Sequence, residues 1–124
     1  MTHLALIIED DADLGAIFSE ALQVAGFATE TIRRGDTAMA RLGEVIPEVV
    51  ILDLHLPGVD GKALMKHIRE DARLAHTQIV VASADAALAQ ALEINADFTL
   101  LKPISFSQLR DLAKRLLPAT AEGE

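Results

Sequence analysis

The sequence contains no cysteine, no tryptophan and no tyrosine, and only four phenylalanines among its 124 residues. Without cysteine there is neither a disulfide framework nor a thiolate metal site. So few aromatic rings leave no platform on which nucleobases could stack. Positive charge is scarce too: 11 lysines and arginines against 19 aspartates and glutamates give a formal net charge of −8. Phosphate backbones demand a basic face, so non-specific nucleic-acid binding is not expected. Although 51% of the residues are hydrophobic, no apolar run approaches the roughly 20 residues of a membrane span. Met1-Thr2-His3-Leu4 lacks the basic segment and cleavage site of a signal peptide. These absences point to a cytoplasmic protein that contacts neither membrane nor nucleic acid.

What is present is one domain's worth of chain, long enough to bury a sizeable core. Its centre is Val49-Val50-Ile51-Leu52-Asp53. Four apolar residues, three of them β-branched, predict a strand buried on both faces. Before it, Leu4–Ile8 reads as a strand ending in Glu9-Asp10-Asp11. Asp11 or Asp13 then caps a helix with Leu14, Ile17, Phe18, Ala21, Leu22 and Ala25 on one face, closed by a left-handed Gly26. Phe27–Ile32 is a weaker strand expected near an edge. A second helix opens at Gly35-Asp36, with Ala38, Met39 and Leu42 inward, and closes at Ile46-Pro47.

After the central strand, Asp60 caps a third helix that buries Leu64, Met65 and Ile68. Ile79–Ala82 is a buried strand ending at Ser83. An alanine-rich helix starts near Asp85 with Leu88, Ala91 and Leu92 as its apolar stripe, and Asn95 takes the left-handed terminal position. Phe98–Leu101 is the fifth strand. The last helix carries a capping box, Ser105-Phe106-Ser107-Gln108, with Ile104 and Leu109 as a hydrophobic staple, and Pro118 ends it. Residues 1–118 are thus expected to form the domain, and 119–124 a short polar tail. Five strands alternating with five helices through short connections call for a three-layer, doubly wound (βα)5 α/β fold with a parallel sheet.

In a parallel sheet the carboxyl ends of the strands share one edge, where open α/β folds place their chemistry. Those ends carry Glu9 and Asp10, Asp53, Ser83 and Lys102. Each alone has a plainer explanation: a solvated helix start, a strand cap, a turn serine, a surface lysine. Their joint placement is harder to reach by accident. Clustered carboxylates repel and need a counter-charge, which magnesium, a hard cation with oxygen ligands, supplies. His3, His55, His67 and His76 lack metal-ligand spacing; His55 is expected in an exposed loop, with its backbone carbonyl rather than its ring facing the mouth. A carboxylate nucleophile, a magnesium ion, a lysine and a hydroxyl are the parts needed for phosphoryl transfer to an aspartate. Asp53 would attack in line, Lys102 and magnesium would neutralise the phosphoryl oxygens, and Ser83 would donate to one of them.

At Glu9-Asp10-Asp11, the block Ile51-Leu52-Asp53-Leu54-His55-Leu56-Pro57-Gly58-Val59-Asp60-Gly61, Ser83-Ala84 and Lys102-Pro103, the chain resembles the response-regulator receiver family nearly end to end. The resemblance implies a flavodoxin-like, five-stranded sheet of order 2-1-3-4-5. It implies that Asp53 accepts a phosphoryl group from a phosphohistidine on a sensor histidine kinase or histidine phosphotransfer protein. It also implies magnesium held by Asp10, Asp53 and the His55 carbonyl, with Glu9 acting through water, and a cis peptide before Pro103.

The chain departs from that family at the surface many receivers use for output. Thr99 stands where Tyr or Phe is usual, and Phe98 should point to the other face of its strand. The stretch from Ser83 to Lys102 is short by about one helical turn, and Asn95 replaces a common glycine. The reading is a stand-alone receiver, or the receiver of a longer chain, that can be phosphorylated but does not use the aromatic switch. Two alternatives are a degenerate receiver acting as a phosphorylation-independent binding adaptor, and an aspartyl-phosphate hydrolase on a similar fold. The second lacks an acid two residues after the nucleophile, where His55 stands.

Overall fold

Strands β1 (Leu4–Ile8), β2 (Ala28–Ile32), β3 (Val49–Leu52), β4 (Gln78–Ser83) and β5 (Phe98–Leu101) pair in parallel in the order β2-β1-β3-β4-β5. This is a computed structural model, and it describes residues 3–118; the expected tail, 119–124, lies outside the described residues. Helices α1 (Ala12–Ala25), α2 (Gly35–Leu42), α3 (Gly61–Glu70), α4 (Ala86–Ala91) and α5 (Phe106–Leu116) connect and follow the strands. The expected flavodoxin-like, three-layer architecture is therefore the observed one.

Side chains alternate across a strand, and here both sides are apolar. Ala5, Ile7, Ile51 and Val80 pack against Phe18 and Leu22 of α1 and Leu109 of α5. Leu6, Ile8, Leu52 and Val81 pack on the opposite face with Leu42 of α2 and Leu64 and Ile68 of α3. Every residue of β3 is buried, and burying one such side chain is worth about 1.5–3 kcal/mol. The strand that leads into Asp53 is consequently the best anchored. β2 is an edge strand, as its weaker pattern foretold.

Most helix ends follow the expected caps. Asp11, rather than Asp13, accepts from the N–H groups of Asp13 and Leu14. Gly26 closes α1 at φ 119°, a conformation that favours glycine. Asp60, Asp85 and Ser105 accept from the N–H of Ala63, Leu88 and Gln108. Ile104 and Leu109 share one buried cluster, as a staple requires.

Four local expectations fail. Ile17, expected on the buried face of α1, is 41% exposed, because it stands about 100° round the helix from Phe18, past the edge of the stripe. α2 stops at Leu42, and Ile46 is 62% exposed. Gly43 weakens the helix there, and Pro47 keeps the residue before it extended. In α4 the buried alanine is Ala89, while Ala91 faces solvent; the helix is only six residues long, too short for its stripe to be fixed by pattern. Asn95 is not left-handed, since no non-glycine residue described has positive φ. It ends a 3₁₀ turn, Glu93–Asn95, whose N–H groups bond back one tight turn instead.

One arginine ties this shortened region to the sheet. Arg69, at the end of α3, donates to the Asn95 carbonyl at 2.9 Å, to the Thr77 carbonyl at 3.3 Å and to Asp97 Oδ2 at 2.8 Å. The same Asp97 oxygen accepts from Ile79 N at 2.7 Å.

Candidate functional site

The sheet ladder itself places the site residues. One step past β1, Glu9 N–H donates to Ile32 O at 3.0 Å; one step past β3, Asp53 N–H donates to Ile8 O at 3.0 Å. One step past β5, Lys102 N–H donates to Ser83 O at 2.8 Å, and the following Lys102–Pro103 bond is cis. Backbone pairing thus fixes where each side chain starts, before any side-chain contact is made.

Glu9, Asp10 and Asp53 each bring a carboxylate oxygen within 4.8 Å of the others. Lys102 Nζ reaches between them, 2.8 Å from Glu9 Oε1 and 3.6 Å from Asp53 Oδ2. The remaining oxygens are held by backbone: Asp53 Oδ1 accepts from His55 N at 3.1 Å, and Glu9 Oε2 from Asp11 N at 3.2 Å. Arg33 forks onto the Asp10 carbonyl at 3.2 and 3.0 Å, bracing the loop after β1.

Glu9 is 2% exposed. Burial pushes its carboxyl up to about 7, helped by the charge of Asp53, although Lys102 and the Asp11 N–H pull the other way. Burial opposes the charge on Lys102, yet contact with Glu9 and the charge of Asp53 outweigh it and hold the ammonium above its usual range. Glu9 Oε1 is buried without a hydrogen-bond partner; Lys102 approaches at ion-pair distance without hydrogen-bond geometry. An orphaned buried oxygen beside two more carboxylates is a donor set suited to a hard divalent cation and its waters.

Four of the expected residues, Glu9, Asp10, Asp53 and Lys102, are therefore brought together. Ser83 is at the expected strand end but fully buried, its hydroxyl oxygen accepting from Asp85 N at 3.0 Å. Among the described residues no hydrogen bond joins it to Asp53. The His55 ring is exposed, as expected, and lies 3.5 Å from Asp85 Oδ2; what touches Asp53 is its N–H. Thr99 sits on β5 beside Val81, while Phe98 packs on the opposite, α1–α5 side.

Two features escaped sequence reasoning. Nothing in the pattern marks Arg33. Gly61 stands at the first position of α3, and a Cβ there would lie 2.3 Å from Asp53 O and 2.6 Å from Leu54 Cα. A glycine where better helix formers abound was the available signal.

A doubly wound parallel sheet with a lysine-bridged trio of carboxylates at its carboxyl edge defines an acidic-pocket α/β domain. The chain belongs to the response-regulator receiver family: residues 5–114 match the response regulator receiver domain. It is 32% identical over 114 residues to the phosphate regulon transcriptional regulatory protein PhoB of Rhizobium meliloti, covering 90% of this chain and 50% of that protein. It is 30% identical over 116 residues to the transcriptional regulatory protein BaeR of Escherichia coli, covering 94% and 48%. The chain spans about half the length of these curated relatives. Among solved structures, a CheY-like receiver domain from Methylobacillus flagellatus superposes with a TM-score of 0.82 at 27% identity, covering 94% of this chain and 99% of that one. The chemotaxis response regulator CheY4 of Vibrio cholerae gives 0.84 at 24% identity over 94% and 100%, a likeness of fold.

Proposed function

We propose that this receiver accepts a phosphoryl group on Asp53 from a phosphohistidine of a sensor histidine kinase or histidine phosphotransfer protein, and that the modified domain changes its protein contacts. An Asp53 oxygen attacks phosphorus, the P–N bond breaks, and the partner imidazole leaves with the electron pair; the product is an acyl phosphate. Asp10, Asp53 and the His55 carbonyl would hold magnesium, with Glu9 acting through water. When bound, the ion neutralises charge on the phosphoryl oxygens.

The chain's own groups do the rest. Lys102, already 3.6 Å from Asp53 Oδ2, moves its charge from the carboxylate pair to the arriving phosphoryl group. The Ser83 oxygen accepts the Asp85 N–H, which leaves its own proton for a phosphoryl oxygen. The His55 N–H holds Asp53 Oδ1 and so turns the second oxygen toward the mouth. Charge added at this mouth then biases the loops after β3 and β4. No helix among the described residues is long and apolar enough to cross a membrane, and we place the domain, residues 1–118, in the cytoplasm, with no membrane or nucleic-acid contact of its own.

The observation that carries this reading is Lys102 bridging Glu9 and Asp53 inside an acidic trio. Incubation with magnesium and acetyl phosphate, followed by intact mass, tests it. One phosphoryl adduct on the wild type and none on Asp53→Asn is expected. An unmodified wild type would overturn the reading in favour of the phosphorylation-independent adaptor.

A further inference from the structure

Because α4 has only six residues, it leaves one flank of α3 open. Between α3 and the turn that follows α4, from Leu92 to Asn95, runs a groove of about 530 Å³ lined by Lys62, Ala63, Met65, Lys66, Leu92 and Asn95. Its walls are more apolar than polar, and Ile94, in the turn that ends at Asn95, is 90% exposed. Lys62 and Lys66 are four residues apart on α3, one above the other on a single face, and both are exposed.

Their charge is uncompensated. Of the chain's 11 cationic residues, six others sit in ion pairs, and Arg33 is held by the Asp10 carbonyl. Lys62 and Lys66 have no carboxylate within ion-pair distance among the described residues. The other two, Lys114 and Arg115, lie in the last turn of α5. In a chain of net charge −8, an unpaired lysine pair above an apolar floor asks for an acidic partner with an apolar face. Two phosphates would satisfy the lysines but leave Ala63 and Leu92 facing a polar backbone.

We propose that this groove docks an acidic amphipathic helix of a partner protein, with carboxylates one turn apart on Lys62 and Lys66 and an apolar stripe over Ala63 and Leu92. The ten residues of α3 span about 15 Å, room for roughly ten helical residues of the partner. Asp60, whose carboxylate caps Ala63 N, and Glu70 bound the basic stretch at its two ends. The groove shares Asp60 and Lys62 with a second one, lined by Asp10, His55 and Leu88, at the carboxylate mouth. A docked helix would therefore end near His55, at the rim of the carboxylate mouth. The docking does not depend on phosphorylation.

The probe is a synthetic helical peptide of about ten residues bearing Glu at i and i+4 and a Leu stripe, titrated into the unmodified chain by amide NMR. Shifts are expected at Lys62, Ala63, Lys66, Leu92 and Asn95, with binding weakened by salt. The doubly substituted Lys62→Glu/Lys66→Glu protein should bind at least about tenfold more weakly; its native amide dispersion would verify the fold. Four results would overturn the proposal: no binding at millimolar peptide, equal binding of a Glu→Gln peptide, shifts confined to another face, or unchanged affinity after charge reversal.

Discussion

Replacing Lys102 with methionine should destabilise the metal-free protein by an amount that grows with pH. Methionine keeps most of the stem and removes only the charge. Below about pH 7 Glu9 is largely protonated, because burial holds its carboxyl near that value. There the variant loses mainly the 3.6 Å contact with Asp53, a pair only 17% and 7% exposed, on the order of 1 kcal/mol or more. Above that pH the wild type ionises Glu9 against the ammonium 2.8 Å away, whereas the variant has no cation to offer and retains the proton. Retaining it costs about 1.4 kcal/mol for each pH unit, so near pH 9 the variant should be about 2–3 kcal/mol worse off than near pH 7. Lys102 itself stays charged throughout, its pKa being raised above 10.5. Urea unfolding of both proteins in chelator, near pH 6, pH 7.5 and pH 9, gives the difference directly. A stability difference that is flat in pH, or that shrinks as pH rises, would refute the buried Glu9–Lys102 couple as the source.

The wild type should show the opposite side of the same linkage: Glu9 ionises at 4.5 unfolded and about 7 folded, so in chelator its stability falls as pH rises across that window, by about 3 kcal/mol at most. Magnesium at neutral pH should reverse that loss, read as a raised urea midpoint. Asp53→Asn should leave the chelated protein at least as stable as wild type near pH 8, since three carboxylates crowd one ammonium; a lower midpoint would refute the crowding. Gly61→Ala should cost about 3 kcal/mol and abolish the phosphoryl adduct, because its Cβ would meet Asp53 O at 2.3 Å and backbone cannot swing aside. A wild-type midpoint for that variant would show the loop after β3 to be pliable.

The parallel sheet and the gathering of Glu9, Asp10, Asp53 and Lys102 at one edge were legible because period and position leave few options. An apolar run closed by a polar residue puts that residue at the strand's carboxyl end, and the ladder did so for Glu9, Asp53, Ser83 and Lys102. Capping aspartates were equally readable, since the side chain bonds within its own turn. What pattern could not supply was contact between segments. The choice of Ala89 over Ala91 as the buried residue depends on how α4 leans on the sheet, and alanines carry no signal of facing. Asn95 was assigned a left-handed role from its type alone, but Arg69 captures its carbonyl and the chain stays right-handed. Arg33 reaches 23 residues back to Asp10, a pairing no local rule encodes.

The Arg69 guanidinium has a consequence for how this fold can vary. By gripping Asp97 just before β5, together with the Asn95 and Thr77 carbonyls, it moors the strand leading to Lys102 to α3 as well as to the helix in between. Within residues 86–93 only Ala89 is buried, with Leu88 and Leu92 resting partly on the core, so the outward positions of this stretch carry little structural duty. Substitutions at those outward positions reshape the outer surface while the ammonium stays in register with its carboxylates, so recognition can drift without loss of chemistry.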